Sequence, residues 1–175
     1  MDQFAFIPDP PVITLQPSPA SQTVNLGANV AYFVGANGGV LRYQWLQNGT
    51  NVVGGNSSTL ALNNVGRAQN GTYFVTVTNS GGGVTSSNVT LKVLVPQLLG
   101  PPVFSANGTL VLSSTDANGG LLSASDLANL QAQSSTNLVD WVTLTNALTL
   151  TNGVIQLQDS SATSSPSRYY RILEY

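Results

Sequence analysis

Apolar and polar positions alternate with a period of two along most of the chain. In NVAYFV, Val30, Tyr32 and Val34 share one parity; in YFVTVTN it is Tyr73, Val75 and Val77; in VTLKVLV it is Val89, Leu91, Val93 and Val95. That period turns every second side chain to the same face and predicts half-buried strands. Asn-Gly and Gly-Gly clusters punctuate the runs, at Asn37-Gly38-Gly39, Asn48-Gly49, Gly54-Gly55, Asn70-Gly71 and Gly81 to Gly83. They supply the positive φ angles of tight turns. No long segment repeats apolar residues at helical spacing. LLSASDLANLQAQ comes nearest, but it is short and rich in Ser and Asn. VPQLLGPPV, residues 95–103, holds three prolines and a glycine and predicts a stiff Pro-rich linker over 96–102. Beyond it TLVLSS, LANLQAQSS, DWVTLTN, GVIQLQD and RYYRILEY predict five or six further strands. These form a second small β-domain over 103–175, with Trp141, Leu144, Ile155, Leu157, Tyr169 and Ile172 as its expected core. The predicted fold class is all-β.

A length of 175 residues allows two small domains, and a hydrophobic content of 42% suffices for packed cores. Charge changes the picture. Only 7% of residues are charged, against about 25% in typical soluble domains. Gly, Ser, Thr and Asn take the place of Lys and Glu, a composition common among secreted surface proteins. The few charges are also segregated. Between Pro10 and Thr115 there are Arg42, Arg67 and Lys92 and no acid, a formal +3. From Asp116 to Tyr175 five acids (Asp116, Asp126, Asp140, Asp159, Glu174) face two arginines, a formal −3. Such a division either favours head-to-tail contact between halves or molecules, or is chance among so few charges. A net charge of −2 without a basic stripe argues against nucleic acid as a partner. No apolar run approaches the ~20 residues of a membrane helix, so no membrane insertion is expected. Met1-Asp2-Gln3 lacks the basic start of a signal peptide; an exported protein would be represented here by its mature form or a fragment.

Residues 11–95 carry a more specific pattern. Gly27, Val30, Tyr32 and Val34 are followed by Trp45 in YQWLQNG, by STLALNNV, and by Gly71 and Tyr73 in QNGTYFVTVTN. At these spacings the segment resembles an immunoglobulin-like domain: a strand B, the strand C tryptophan, a strand E, and the tyrosine corner that precedes strand F. The resemblance implies an Ig-like β-sandwich over 11–95 whose core is defined by Val34, Trp45, Tyr73 and Val75. It also implies that Val34 and Val75 stand where the family's disulfide would be, and the chain has no cysteine. Loss of such a bond costs about 2–5 kcal/mol, whereas burying a valine returns about 1.5–3 kcal/mol. Two valines packed around Trp45 can therefore replace the staple, as bacterial Ig-like modules often do. The resemblance is nearly silent on function.

The second half, LQAQSSTNLVDWVTLTNALTLTNGVIQLQDSSATSSPSRYYRI, resembles the small β-domains that end large secreted proteins of environmental bacteria. SSTNLVDW, the Asn152-Gly153 turn, QDSSA and P-x-R-Y-Y-R carry that resemblance. It implies an exported, C-terminal, non-catalytic module.

Chemistry narrows the functional classes. Histidine and cysteine are both absent, which removes the usual general base, the common nucleophile pairs and the commonest transition-metal ligands. Six aspartates and Glu174 remain, none in a recognisable catalytic motif. Gly81 to Gly83 lack the lysine and helix of a phosphate-binding loop. No catalytic activity and no cofactor are expected. DANGG, residues 116–120, faintly resembles a calcium loop with Asp116 and Asn118 as oxygen ligands, although a plain turn explains it better. Asn48, Asn56, Asn70, Asn88 and Asn107 each begin a glycosylation sequon. Trp141, Tyr169 and Tyr170 are either core anchors, the stronger reading, or a sugar-stacking platform.

The first ten residues, MDQFAFIPDP, point furthest. Phe4 and Phe6 alternate, Ile7 follows, and Pro8 and Pro10 end the run. An extended connecting segment is expected over 1–10, adding as a strand to this molecule's own sheet or to an open edge on a neighbour. One lysine and few charges leave strand edges without their usual protection. A small second domain without a staple would also gain from docking. The expected function is a non-catalytic extracellular structural or adhesive protein. It would assemble head to tail through Phe4, Phe6 and Ile7 into a filament or surface layer. Its expected partners are copies of itself, with surface glycans as a further class. The alternatives are a carbohydrate-binding accessory module of a secreted hydrolase and a passive spacer.

Overall fold

The computed structural model describes residues 9–52, 54–162 and 167–175. Phe4, Phe6 and Ile7 lie outside the described residues. The chain divides into two compact units, Met1–Val93 and Leu94–Tyr175.

In the first unit, β1 (Val12–Ser18), β3 (Val30–Asn37) and β6 (Thr59–Leu62) form one sheet in the order β1-β3-β6. The other sheet runs β2 (Ser21–Asn25), β9 (Val89–Leu94), β7 (Gly71–Asn79), β4 (Arg42–Gln47), β5 (Thr50–Asn51), with β8 (Gly82–Thr85) also paired to β7. The alternation seen in the sequence is the inward face of these strands. Val30, Tyr32 and Val34 from β3 are buried, as are Trp45 from β4, Tyr73, Val75 and Val77 from β7, and Val89, Leu91 and Val93 from β9. Tyr32 stacks on Tyr73 with ring centres 5.9 Å apart and tilts against Trp45 at 6.5 Å. Val34 and Val75, one from each sheet, are both fully buried, and Val75 lies opposite Trp45 in the β4/β7 register.

Tyr73 donates its hydroxyl proton to the carbonyl of Gln69 at 2.6 Å, across a short 3-10 turn at Arg67–Gln69. That bond is the tyrosine corner. Burial first, and the neighbouring Tyr32 second, push the Tyr73 phenol up to about 12. Asn48-Gly49 makes the two-residue β4/β5 hairpin, with φ of 48° and 82°, the pattern that such turns require. Asn70-Gly71 is different: Gly71 opens β7 instead of turning a hairpin. Its φ is 141°, and a Cβ there would lie 2.5 Å from the Asn48 amide, so Asn48 packs where only glycine leaves room.

In the second unit, β12 (Leu110–Asp116) pairs on one side with β10 (Gln97–Leu99) and β11 (Val103–Phe104) and on the other with β16 (Val154–Asp159), followed by β15 (Leu148–Thr151). The second sheet is β14 (Val142–Thr143), β13 (Leu130–Ser135), β17 (Tyr169–Glu174), in that order. The expected linker over 96–102 therefore contains a strand. Gln97–Leu99 pair with Ser114–Asp116, and the prolines at 96, 101 and 102 flank the strand without interrupting it, as an edge position permits. LLSASDLANLQAQ divides in a similar way. Only Ala124–Leu127 are helical (α1), started by a capping box between Ser123 and Asp126, and the alternation of Leu130 and Ala132 makes the rest a strand.

The core of this unit is Leu110, Leu112, Ala132, Ala147 and Leu157, continued by Leu122, Leu130 and Ile155. Leu144 and Ile172 are half-buried and pack against it. Trp141 and Tyr169 do not belong to it. Trp141 is half-buried under the Arg171 guanidinium, 4.0 Å from its ring centre, and Tyr169 is exposed. Adjacent residues of β17 face opposite ways, so Tyr170 and Ile172 turn inward while Tyr169, Arg171 and Leu173 turn out.

Candidate functional site

The inward faces of β12 and β16 are apolar in the middle and acidic at their ends. On β16, Ile155 and Leu157 are followed by the buried Asp159. Ser161 donates to Asp159 Oδ1 twice, from its backbone N at 2.8 Å and its hydroxyl at 2.7 Å. The Tyr170 hydroxyl donates to Oδ2 at 3.0 Å. Arg168 Nε lies 2.8 Å from Oδ2 as an ion pair, out of line for a hydrogen bond. Arg168 also reaches the Ser161 carbonyl and the Ser134 hydroxyl. Burial alone would raise the Asp159 carboxyl. The Ser161 and Tyr170 hydrogen bonds and the Arg168 charge outweigh it and hold the group below its ordinary value. Tyr170 moves the other way, to about 12, through burial and its bond to Asp159. QDSSA and P-x-R-Y-Y-R, noted separately in the sequence, thus meet as one clasp joining the two sheets of this unit.

At the other end of β12, Gln97 Nε2 donates to Asp116 Oδ1 at 2.5 Å while Gln97 Oε1 accepts from Ser114. Asp116 is fully buried. Asn118 uses its side-chain oxygen to accept from Gly120 N, and Gly119 N bonds the Asp116 carbonyl. DANGG is therefore a turn, with the Asp116 carboxylate held against β10. Among the described residues no group of three or more acids gathers as a metal site. The remaining acids of the second unit have structural partners as well. Asp126 caps α1, Asp140 accepts from Asn137, and Glu174 accepts from Val95 N.

SSTNLVDW is a self-bonded loop. Ser135 Oγ accepts from the backbone N of Asn137 and Leu138; Asn137 Oδ1 accepts from Val139 N and Asp140 N. Trp141 Nε1 donates to the Leu138 carbonyl at 3.2 Å. Trp141, Tyr169 and Tyr170 do not form one aromatic platform: Tyr170 is tied inward to Asp159, whereas Trp141 lies under Arg171, on the outward side of β17 that Tyr169 also faces. Of the sequon asparagines, Asn48, Asn70 and Asn107 use their side-chain oxygens in hydrogen bonds to Thr72 N, Val93 N and Thr109 N. Asn56 and Asn88 lie on exposed positions.

The strand edges are the distinctive surface. Val12 and Leu15 on β1, Leu98 on β10, Val103 and Phe104 on β11, Val142 on β14, and Tyr169 and Leu173 on β17 are all exposed. Each of these strands borders its sheet among the described residues. The only charges on them are Arg171, hydrogen-bonded to Gln133, and Glu174, bonded to Val95. Lys92, the single lysine, sits on β9 between β2 and β7. Between the β10–β12 side of one sheet and β17 of the other lies a groove of about 490 Å³, lined by Leu99, Pro102, Phe104, Leu110, Leu112 and the start of β17 at Tyr169 and Tyr170. Sequence reasoning missed this groove because Leu99 and Pro102, two of its residues, fall in the 96–102 stretch read as linker.

Residues 10–79 match the family described as Immunoglobulin domain. No curated protein matches the chain. Among solved structures, titin domains I67–I69, in an E-to-A variant, cover 94% of this chain and 61% of their own, at 15% identity and a TM-score of 0.55. Titin M4 covers 50% of this chain and 99% of its own, at 23% identity and a TM-score of 0.43. The four N-terminal Ig domains of Dscam1 isoform 7.44 cover 49% of this chain at 21% identity and a TM-score of 0.43, and the match spans 21% of that structure. At such identities the likeness concerns the fold alone. The protein is all-β and carries an immunoglobulin-like domain in its first half.

Proposed function

We propose that the protein is a non-catalytic extracellular structural or adhesive subunit that self-assembles through its leading segment into a filament or surface layer. The observation that carries this reading is the row of exposed apolar, nearly uncharged edge strands in both units. Soluble sandwiches normally blunt such edges with charge, lysine above all, which is scarce on these strands, and exposed apolar patches mark contact surfaces. The acids of the second unit favour the same reading over catalysis, because each is committed to holding a strand, a cap or a loop. Phe4 and Phe6 alternate in sequence and Ile7 follows, an apolar pattern suited to adding as a strand to an open edge. Export accords with the charge-poor, Thr- and Asn-rich composition and with the resemblance of the second half. A sugar platform is less favoured, since Arg171 covers one face of Trp141 and Tyr170 faces inward.

Negative-stain microscopy of the full chain beside a version lacking residues 1–10 tests the proposal. Fibres or sheets are expected only with the segment present. Monodisperse particles in both samples would sink it.

A further inference from the structure

We infer that the groove between β10–β12 and β17 receives the leading segment, residues 1–8, of a second copy of this chain. The inference rests on the assembly reading above and names its receiving site. Three features of the second unit converge there. β17 pairs along one side with β13, from Leu130 opposite Glu174 to Ser135 opposite Tyr169, and among the described strands none pairs with its other side. That side offers the outward backbone N–H and C=O groups that an added strand needs. Beside it the two sheets leave a groove of about 490 Å³, within the range of binding pockets for compact ligands. Its lining is mostly apolar: Leu99, Pro102, Phe104, Leu110 and Leu112, with Tyr169 and Tyr170 at the rim. Among the described lining residues the one charged group, Arg168, already faces Asp159.

The occupant follows from chemistry. A strand laid along β17 turns alternate side chains to the same face, and Tyr170 and Ile172 of β17 already pack toward the core. Phe4 and Phe6 have the matching period, and Pro8 ends the run. Near the segment's own start, Asn79 Nδ2 donates to the Asp9 carbonyl at 2.9 Å, beside a second depression of about 490 Å³. Its described lining includes Arg42 of β4 and Thr78 and Asn79 of β7, strands already paired with each other. β17 instead keeps one side open among the described strands, the side that an added strand requires.

The test compares four full-length or near-full-length proteins: the full chain, a chain lacking residues 1–8, Phe104→Asp and Tyr169→Ala. Phe104 and Tyr169 are exposed, and a thermal melt of each variant checks that it folds. Sedimentation velocity over a concentration series should show oligomers for the full chain and monomers for the other three. A dye-labelled peptide of residues 1–10 should bind the shortened chain saturably, and at least tenfold more weakly once Phe104→Asp is added. Oligomers that need residues 1–8 but persist in Phe104→Asp and Tyr169→Ala would overturn the groove while leaving the assembly reading intact. A monomeric full chain that fails to bind the peptide, beside a shortened chain that binds it, would place the segment in its own groove and overturn the second copy. Neither oligomers nor peptide binding would overturn both.

Discussion

Asp159 keeps a charge at 4% exposure because Ser161, Tyr170 and Arg168 surround it. Asp159→Asn would leave the Arg168 guanidinium, 16% exposed, without its counter-charge, and should cost about 1–3 kcal/mol, the range for a lost charged hydrogen-bonding partner. Urea unfolding at neutral pH should show that loss. The pH dependence has a definite sign. The folded carboxyl titrates below its ordinary value of about 4. Its contribution is therefore complete above that value and is lost as pH falls through the lower, folded one. Stability measured from pH 5 down to pH 2 should fall less steeply for Asp159→Asn than for the unaltered protein; equal slopes would show that the clasp does not titrate. At this scale the sequence was uneven. Val34, Trp45, Tyr73 and Val75 were legible because the resemblance to an immunoglobulin-like domain places them in its core, and all four are buried. Trp141 was misread as core, because an aromatic beside a strand looks the same whether it faces leucines or an arginine.

Among elements, the loop from Ser135 to Trp141 shows how a short motif builds its own shape. Asn137 serves two backbone donors with one oxygen and holds Asp140 with its amide. Asn137→Ala should destabilise the second unit by about 0.5–1.5 kcal/mol, the net range for a hydrogen bond whose exposed partners water can take over. It should also speed hydrogen exchange at the amides of Val139 and Asp140; unchanged exchange there would refute this role. The strands with clean alternation, β3, β7, β9, β12 and β16, were legible in the sequence. β10 was not, because prolines on both sides of Gln97–Leu99 signal a linker. An edge strand tolerates such flanks, since only one of its sides joins the ladder.

For the whole molecule, the boundary between units decides which fragments fold. The second unit begins at Leu94, and its first strand carries Gln97, which donates to the fully buried Asp116 and accepts from Ser114. A fragment of residues 103–175 removes that donor together with the β10 ladder. A fragment of 94–175 should unfold in one cooperative transition. The shorter one should lose at least about 1–3 kcal/mol, a large share of the stability of so small a domain. Thermal melts of the two fragments check this, and equal midpoints would return β10 to the status of a linker.

The sequence by itself determined the all-β class, the alternating faces of the strands and the absence of histidine and cysteine chemistry, since each depends on residue type and short spacing; the tyrosine corner was legible through the resemblance to an immunoglobulin-like domain. Tertiary structure alone decided that QDSSA meets Arg168 and Tyr170, that Arg171 covers Trp141, and that a groove opens beside β17. A period of two says which side chains share a face, but what lies against that face, and which edges stay open, depends on pairing between strands far apart in the chain.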